Sequence, residues 1–76
     1  MKDYKDKLKK EINYHLNNVK KSGSSRLETC DHYLWDKDIW NHRHTIINKL
    51  RDEGLNVRSQ MNWGVLDITI TEKEDA

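Results

Sequence analysis

Four side chains within fifteen residues are of the types that bind a transition metal: Cys30, His32, His42 and His44, arranged as C-x-H followed by H-x-H. Thiolate and imidazole are the ligands of structural zinc. The spacing works against that chemistry. Ligands two residues apart share a face only in a strand, whereas His42 and His44 fall in a segment of helical periodicity, where they point about 160° apart. The expectation is surface histidines and a small buried cysteine, with no metal and no cofactor. A Cys–His nucleophile and base from the same residues needs a third group to orient the base and a pocket to exclude water. Neither can be argued for 76 residues without a glycine-rich loop, so no catalytic residue is assigned and an enzyme is not expected.

Two other residue sets suit recognition. Trp35, Trp40, Trp63, Tyr33 and Met61 are of the types that dominate interface hot spots, because they bury large area at small entropic cost. The alternative is that Trp40 is core and the other two indoles close its rim. Three tryptophans exceed what so small an interior holds, which places Trp35 or Trp63 in a protein interface. The surface expected to meet a partner is Trp35, Asp36, Trp40, His42 and Trp63. The second set is basic. Lys5, Lys9, Lys10, Lys20, Lys21 and Arg26, with Lys2 and Lys7, can neutralise phosphates and bind nucleic acid in a salt-dependent way. Asp3, Asp6 and Glu11 interleave them, so a solvated helix face is the competing reading.

Size limits what can position these groups. A chain of 76 residues is one domain and buries roughly 60% of the surface it exposes when unfolded, so its core is thin. Cys30 is the only cysteine, which removes an internal disulfide and argues for a reducing compartment. No apolar run is long enough to span a membrane and the start of the chain lacks a signal-peptide core, so a cytoplasmic protein without a membrane partner is expected. Apolar content of 34% against 36% charged residues approaches the disordered regime, but a net charge of +1 and clear periodicity point to a folded domain. That charge is divided: residues 1–26 carry eight Lys/Arg against three Asp/Glu, and residues 27–76 carry six against ten. Such asymmetry can steer a partner or pair one half with the other.

The elements follow from periodicity. Over 2–21, Tyr4, Leu8, Ile12, Leu16 and Val19 line one face of a helix, with Lys20 and Lys21 at its negative pole and Ser22-Gly23-Ser24-Ser25 as its stop. Arg26–Leu34 alternates without a cleanly apolar face and reads as a short strand, with a helical turn as the alternative. A second helix over 36–53 starts at Asp36 as N-cap and buries Ile39, Trp40, Ile46, Ile47 and Leu50, with the Arg43 stem along the core and its head toward water or a carboxylate. Gly54 closes it. Residues 55–71 form a hairpin turning at Trp63-Gly64: Leu55 and Val57, then Leu66, Ile68 and Ile70, face the core. Asn56, Arg58, Asp67 and Thr69, with Trp63 or Met61 beside them, make the opposite face. Residues 72–76 are an acidic tail. The fold class is α+β, in the order α-β-α-β-β, with two helices on one face of a two- to three-stranded antiparallel sheet.

The segment IINKLRDEGLNVRSQMNWGVLDITI, preceded by a lysine-rich helix, resembles a group of small bacteriophage proteins. These have a helix ending in leucine, two or three residues and a glycine, then a valine strand, a tryptophan/glycine turn and an isoleucine-rich strand. The likeness covers about a third of the chain directly, and the Asp31–His44 region departs from it. It implies a phage or prophage origin and a protein that binds and redirects a host factor, including defence systems, with no catalytic residues to carry over. The leading expectation is a non-enzymatic binding module that modulates or inhibits a host protein, self-associated as a homo-oligomer or bound to its target. The alternatives are a nucleic-acid-binding accessory protein and a small-ligand (nucleotide) sponge whose site forms between subunits.

Overall fold

A computed structural model describes residues 4–73. The element order is α1 (Tyr4–Ser22), β1 (Ser24–Cys30), α2 (Lys37–Asn41), α3 (Arg43–Asp52), β2 (Leu55–Asn62) and β3 (Val65–Glu72). The strands form one antiparallel sheet in the order β1-β3-β2, and the helices pack against one face of it. This is the α+β arrangement expected. Among the described residues no helix is long and apolar enough to cross a membrane.

The core lies between sheet and helices. Leu66, Ile68 and Ile70 of β3 meet Leu8 and Val19 of α1, Ile39 of α2, and Ile46, Ile47 and Leu50 of α3. Ile46, Leu50, Ile68 and Ile70 are fully excluded from solvent. Because successive strand residues alternate faces, the register determines everything else on the sheet. Ser25, Leu27 and Thr29 of β1 stand opposite Ile70, Ile68 and Leu66, on the helix side. Arg26, Glu28 and Cys30 lie on the open face with Asn56, Arg58, Asp67 and Thr69. Arg26 makes a two-pronged pair with Asp67, its Nε 2.8 Å from Oδ1. That pairing raises the arginine pKa and holds the Asp67 carboxyl below the usual carboxylate range.

Four details differ from the sequence expectations. First, β1 occupies 24–30 rather than 26–34. Cys30 pairs with Val65, the first residue of β3 after the turn, so beyond Cys30 no strand remains to pair with. The chain turns instead, with Trp35 N–H donating to the His32 carbonyl at 2.9 Å. Ser24 and Ser25, expected in the turn after α1, are already paired with Thr71 and Ile70. Second, Met61 stands opposite Leu66, on the helix side and not on the open face. Third, Glu72 ends β3 instead of beginning a tail; residues 74–76 lie outside the described residues, as do 1–3.

The fourth difference is a break in the second helix at His42, whose φ of −113° and ψ of 23° separate α2 from α3. No glycine or proline causes it. The His42 ring stacks on Tyr4 of α1, with centroids 4.2 Å apart and planes 3° from parallel. Arg43 folds back so that Nη1 donates to the Trp40 carbonyl at 2.6 Å, and its guanidinium lies 3.9 Å from the Trp40 ring centroid. A side chain that claims a backbone carbonyl is a recognised cause of helix kinking. The Arg43 head thus reaches a carbonyl and an indole while the residue stays partly exposed.

Asp36 starts α2 as expected: its carboxylate accepts from the backbone N–H groups of Asp38 at 2.9 Å and Ile39 at 3.3 Å. Lys7 of α1 reaches the same corner, 3.3 Å from Asp36 and 2.9 Å from Asp38, which raises the lysine pKa. Burial pushes the Asp36 carboxyl up, but the N–H groups of Ile39 and Asp38 and the Lys7 ammonium outweigh it, and the net direction is down. A carboxyl lowered by folding contributes stability that is fully present above its unfolded pKa of about 4 and lost as pH falls through the folded value. Asp36→Asn keeps a capping oxygen but not the charge. The variant is therefore expected to melt below wild type at pH 7, by under about 1 kcal/mol, and to converge on it in acid. Paired thermal melts at pH 7 and pH 3 check this; a constant gap would refute the charge contribution.

Candidate protein interface

The row that ends β1 also places the free apolar surface. Cys30, Val65 and Asn62 are the last paired residues, and beyond them the chain emerges twice at one end of the sheet. One emergence is the Trp63-Gly64 turn between β2 and β3. The other is the segment 31–36 between β1 and α2. Both carry large side chains outside the core: Trp63 is 102% exposed, Tyr33 80% and Leu34 75%, with Met61 also exposed. Exposed apolar groups gathered in one region mark interaction sites, whereas scattered ones do not.

Trp63 is unusual for a second reason. Both turn residues have positive φ, 54° for Trp63 and 79° for Gly64, as a two-residue turn between twisted strands requires. Glycine accepts that conformation freely. Tryptophan does not, because its Cβ crowds the following carbonyl at a cost of roughly 1–2 kcal/mol. Asparagine or glycine is the residue such a turn favours. Trp63 therefore strains the backbone while contributing no burial.

The other expected interface residues are divided by the structure. Trp35 and Trp40 are half-buried, Trp40 packed on the core under the Arg43 guanidinium. Asp36 and His42 are engaged internally, one capping α2 and holding Lys7, the other stacked on Tyr4. Leu34 was not singled out from sequence; it lies beside Tyr33 in a loop whose boundaries were misplaced. Met61 borders a groove of about 480 Å³ between α3 and β2, lined also by Trp40, Ile47 and Leu66.

Of the nucleic-acid candidates, Lys5, Lys9, Lys10, Lys20 and Lys21 are exposed on α1. Arg26 is separated from them. It projects from the open face of the sheet, α1 covers the other face, and Asp67 occupies its guanidinium. Cys30, His32, His42 and His44 are not gathered either: Cys30 is half-buried on the open face and His32 leans on Tyr33. Among the described residues no three His, Cys, Asp or Glu side chains stand as a group able to hold a metal.

Sequence reasoning passed over His15, which is 1% exposed. Its Nδ1 lies 2.5 Å from Ser25 Oγ, and Nε2 lies 2.7 Å from Glu11 Oε2, off the line of a ring hydrogen bond. Asn18 Nδ2 donates to the same Ser25 oxygen at 3.2 Å. The residue types are those of a Ser-His-acid nucleophile, but Ser25 is buried in a paired strand, leaving no approach for a substrate. Its effect is to tie α1 to β1. The signal was present: position 15 falls between Ile12 and Val19 in the apolar stripe, four residues after Glu11.

No family model matches this chain, and neither a curated protein nor a solved structure does.

Proposed function

We propose that this protein is a non-enzymatic binding module whose contact surface is the sheet end bearing Trp63, Tyr33 and Leu34. We take its partner to be a host-cell protein that it modulates, in keeping with the resemblance to small bacteriophage proteins. The observation that carries the reading is Trp63: a fully exposed indole on a strained left-handed backbone adds nothing to the fold. Strain of this kind, kept where a cheaper residue fits, clusters at functional positions. The second loop supplies Tyr33 and Leu34 at the same end, so the surface is built by two segments far apart in the chain.

The test uses opposite signs. Trp63→Asn relieves the turn and is expected to raise stability by about 0.5–1 kcal/mol, read as a higher urea midpoint. The same variant, and Tyr33→Ala/Leu34→Ala, are expected to lose at least tenfold in affinity for the protein that wild type retains from host lysate. A hot-spot tryptophan commonly carries that much. Retention unchanged in both variants removes this surface from consideration.

A further inference from the structure

The two edges of the sheet are not alike. β1 carries Arg26 and Glu28, whereas β2 runs from Ser59 into the turn at Gly64 with no charge and no proline. Edge strands are ordinarily protected by such residues, because their unpaired backbone groups template further pairing. The whole of 58–62 is exposed.

The turn decides which of those backbone groups are free. In a hairpin with a two-residue loop, the closing residues Asn62 and Val65 exchange both hydrogen bonds, and the pattern then alternates along the strand. Gln60 and Arg58 also bond to β3, while Met61, Ser59 and Val57 direct N–H and C=O outward. An independent contact agrees: the Val57 carbonyl accepts from Arg51 Nη2 at 3.2 Å. Arg51 thus covers the far part of the edge, and the open groups are those of Ser59 and Met61.

We infer that β2 pairs antiparallel with β2 of a second copy, with Gln60 on the two-fold axis, giving a continuous six-stranded sheet. In this register Ser59 faces the partner subunit's Met61 and Met61 faces the partner subunit's Ser59, so the open donors and acceptors satisfy each other and the Arg51–Val57 contact stays intact. A second copy is the occupant because the match is self-complementary: the same groups serve on both sides, as an isologous interface requires. No like charges meet, since Arg58 stands opposite the partner subunit's Asn62 and the Gln60 side chains lie together on the open face. On the helix side each Met61 gains cover beside the other copy's α3–β2 groove. Trp63 falls opposite the partner subunit's Val57, near an arginine whose guanidinium can take an indole face. Pairing does not rest on the host-partner reading, because the outward backbone groups of Ser59 and Met61 carry it, not Trp63, Tyr33 or Leu34.

Cysteine trapping reads the register directly. At the axis, residue 60 forms a non-hydrogen-bonded antiparallel pair with Cα atoms about 4.5 Å apart, within disulfide range. With Cys30→Ser as background, Gln60→Cys is expected to crosslink two chains under mild oxidant at least tenfold faster than Ser59→Cys. The unmodified full chain is expected to sediment as two copies, and Ser59→Pro, which removes only an outward N–H, as one copy with unchanged circular dichroism. Should Ser59→Pro unfold, hydrogen exchange on the wild type decides: amides of Ser59 and Met61 slowed at least tenfold at high concentration support pairing. A single-copy mass at every concentration, equal trapping at positions 59 and 60, or fast exchange at both amides overturns the inference. Host-protein capture unchanged in Tyr33→Ala/Leu34→Ala and in Trp63→Asn, with pairing intact, counts against the proposed function alone.

Discussion

Ile68→Ala is expected to leave little folded protein in water at room temperature, while Thr69→Ala, one residue away, stays within about 0.5 kcal/mol of wild type. Ile68 is at the centre of the middle strand, fully buried, between Leu27 of β1 and Ser59 of β2. Removing three carbons from such a site costs about 2–5 kcal/mol, the larger values arising where neighbours cannot collapse into the space. Here they cannot easily do so, because the sheet ladder fixes β3 on both sides and helices close the remaining direction. A core in a domain this small rarely supplies more than about 3–5 kcal/mol, so the loss is comparable with the whole. Thr69 points to the open face, opposite Arg26 and Arg58 and away from the helices. Urea titration followed by far-ultraviolet circular dichroism measures both. Equal losses at positions 68 and 69 would refute the register.

That contrast also explains which parts of the fold were readable. Leu66, Ile68 and Ile70 alternate with Asp67, Thr69 and Thr71, and a period of two admits only one assignment of faces once one face is buried. The Trp63-Gly64 turn, Gly54 after the helix and Asp36 before it are local signals, each acting through its own backbone or capping oxygen, so they survive without tertiary information. The misplacements arose where a distant partner decides. β1 stops at Cys30 because β3 starts at Val65, a fact of pairing that the residues of β1 do not contain. The helix breaks at His42 because Tyr4, thirty-eight positions earlier, stacks on its ring and Arg43 takes a carbonyl. Even so, the overall order of elements was legible, since helix and strand periods hold over long segments.

The interaction surface was legible to a lesser degree. Residue type singled out Trp63, Tyr33 and Met61, and these are exposed at or beside one end of the sheet. Type alone could not separate them from Asp36, whose carboxylate caps α2, or from His42, whose ring stacks on Tyr4. Nor could it reveal the strained backbone under Trp63, which requires knowing that the turn has two residues. The lysines illustrate the same limit. Lys7 looks like its neighbours in α1, yet it pins the start of α2, while Lys9 and Lys10 remain exposed.

Ser25→Ala is expected to cost about 1–3 kcal/mol, and adding His15→Leu to it is expected to recover much of the loss. Ser25 supplies the partner of His15 Nδ1 in a site closed to water, and a buried polar atom deprived of its partner bears its full desolvation penalty. Nε2 is off line for a bond to Glu11, so the Nδ1–Ser25 contact is the hydrogen bond that satisfies the ring, and Asn18 donates to the same Ser25 oxygen. Alanine removes the partner of the ring and the acceptor for Asn18 together. Half-buried Asn18 can turn to solvent; His15 cannot. Replacing the imidazole as well by a leucine of similar bulk leaves no buried nitrogen to satisfy, and the stripe Leu8, Ile12, Leu16, Val19 then continues through position 15. The double variant should therefore lie closer to wild type than Ser25→Ala does, a coupling of about 1 kcal/mol or more in the cycle. Additive losses would mean that ring and hydroxyl do not depend on each other. They would also leave the seating of α1 on β1 to apolar contacts alone.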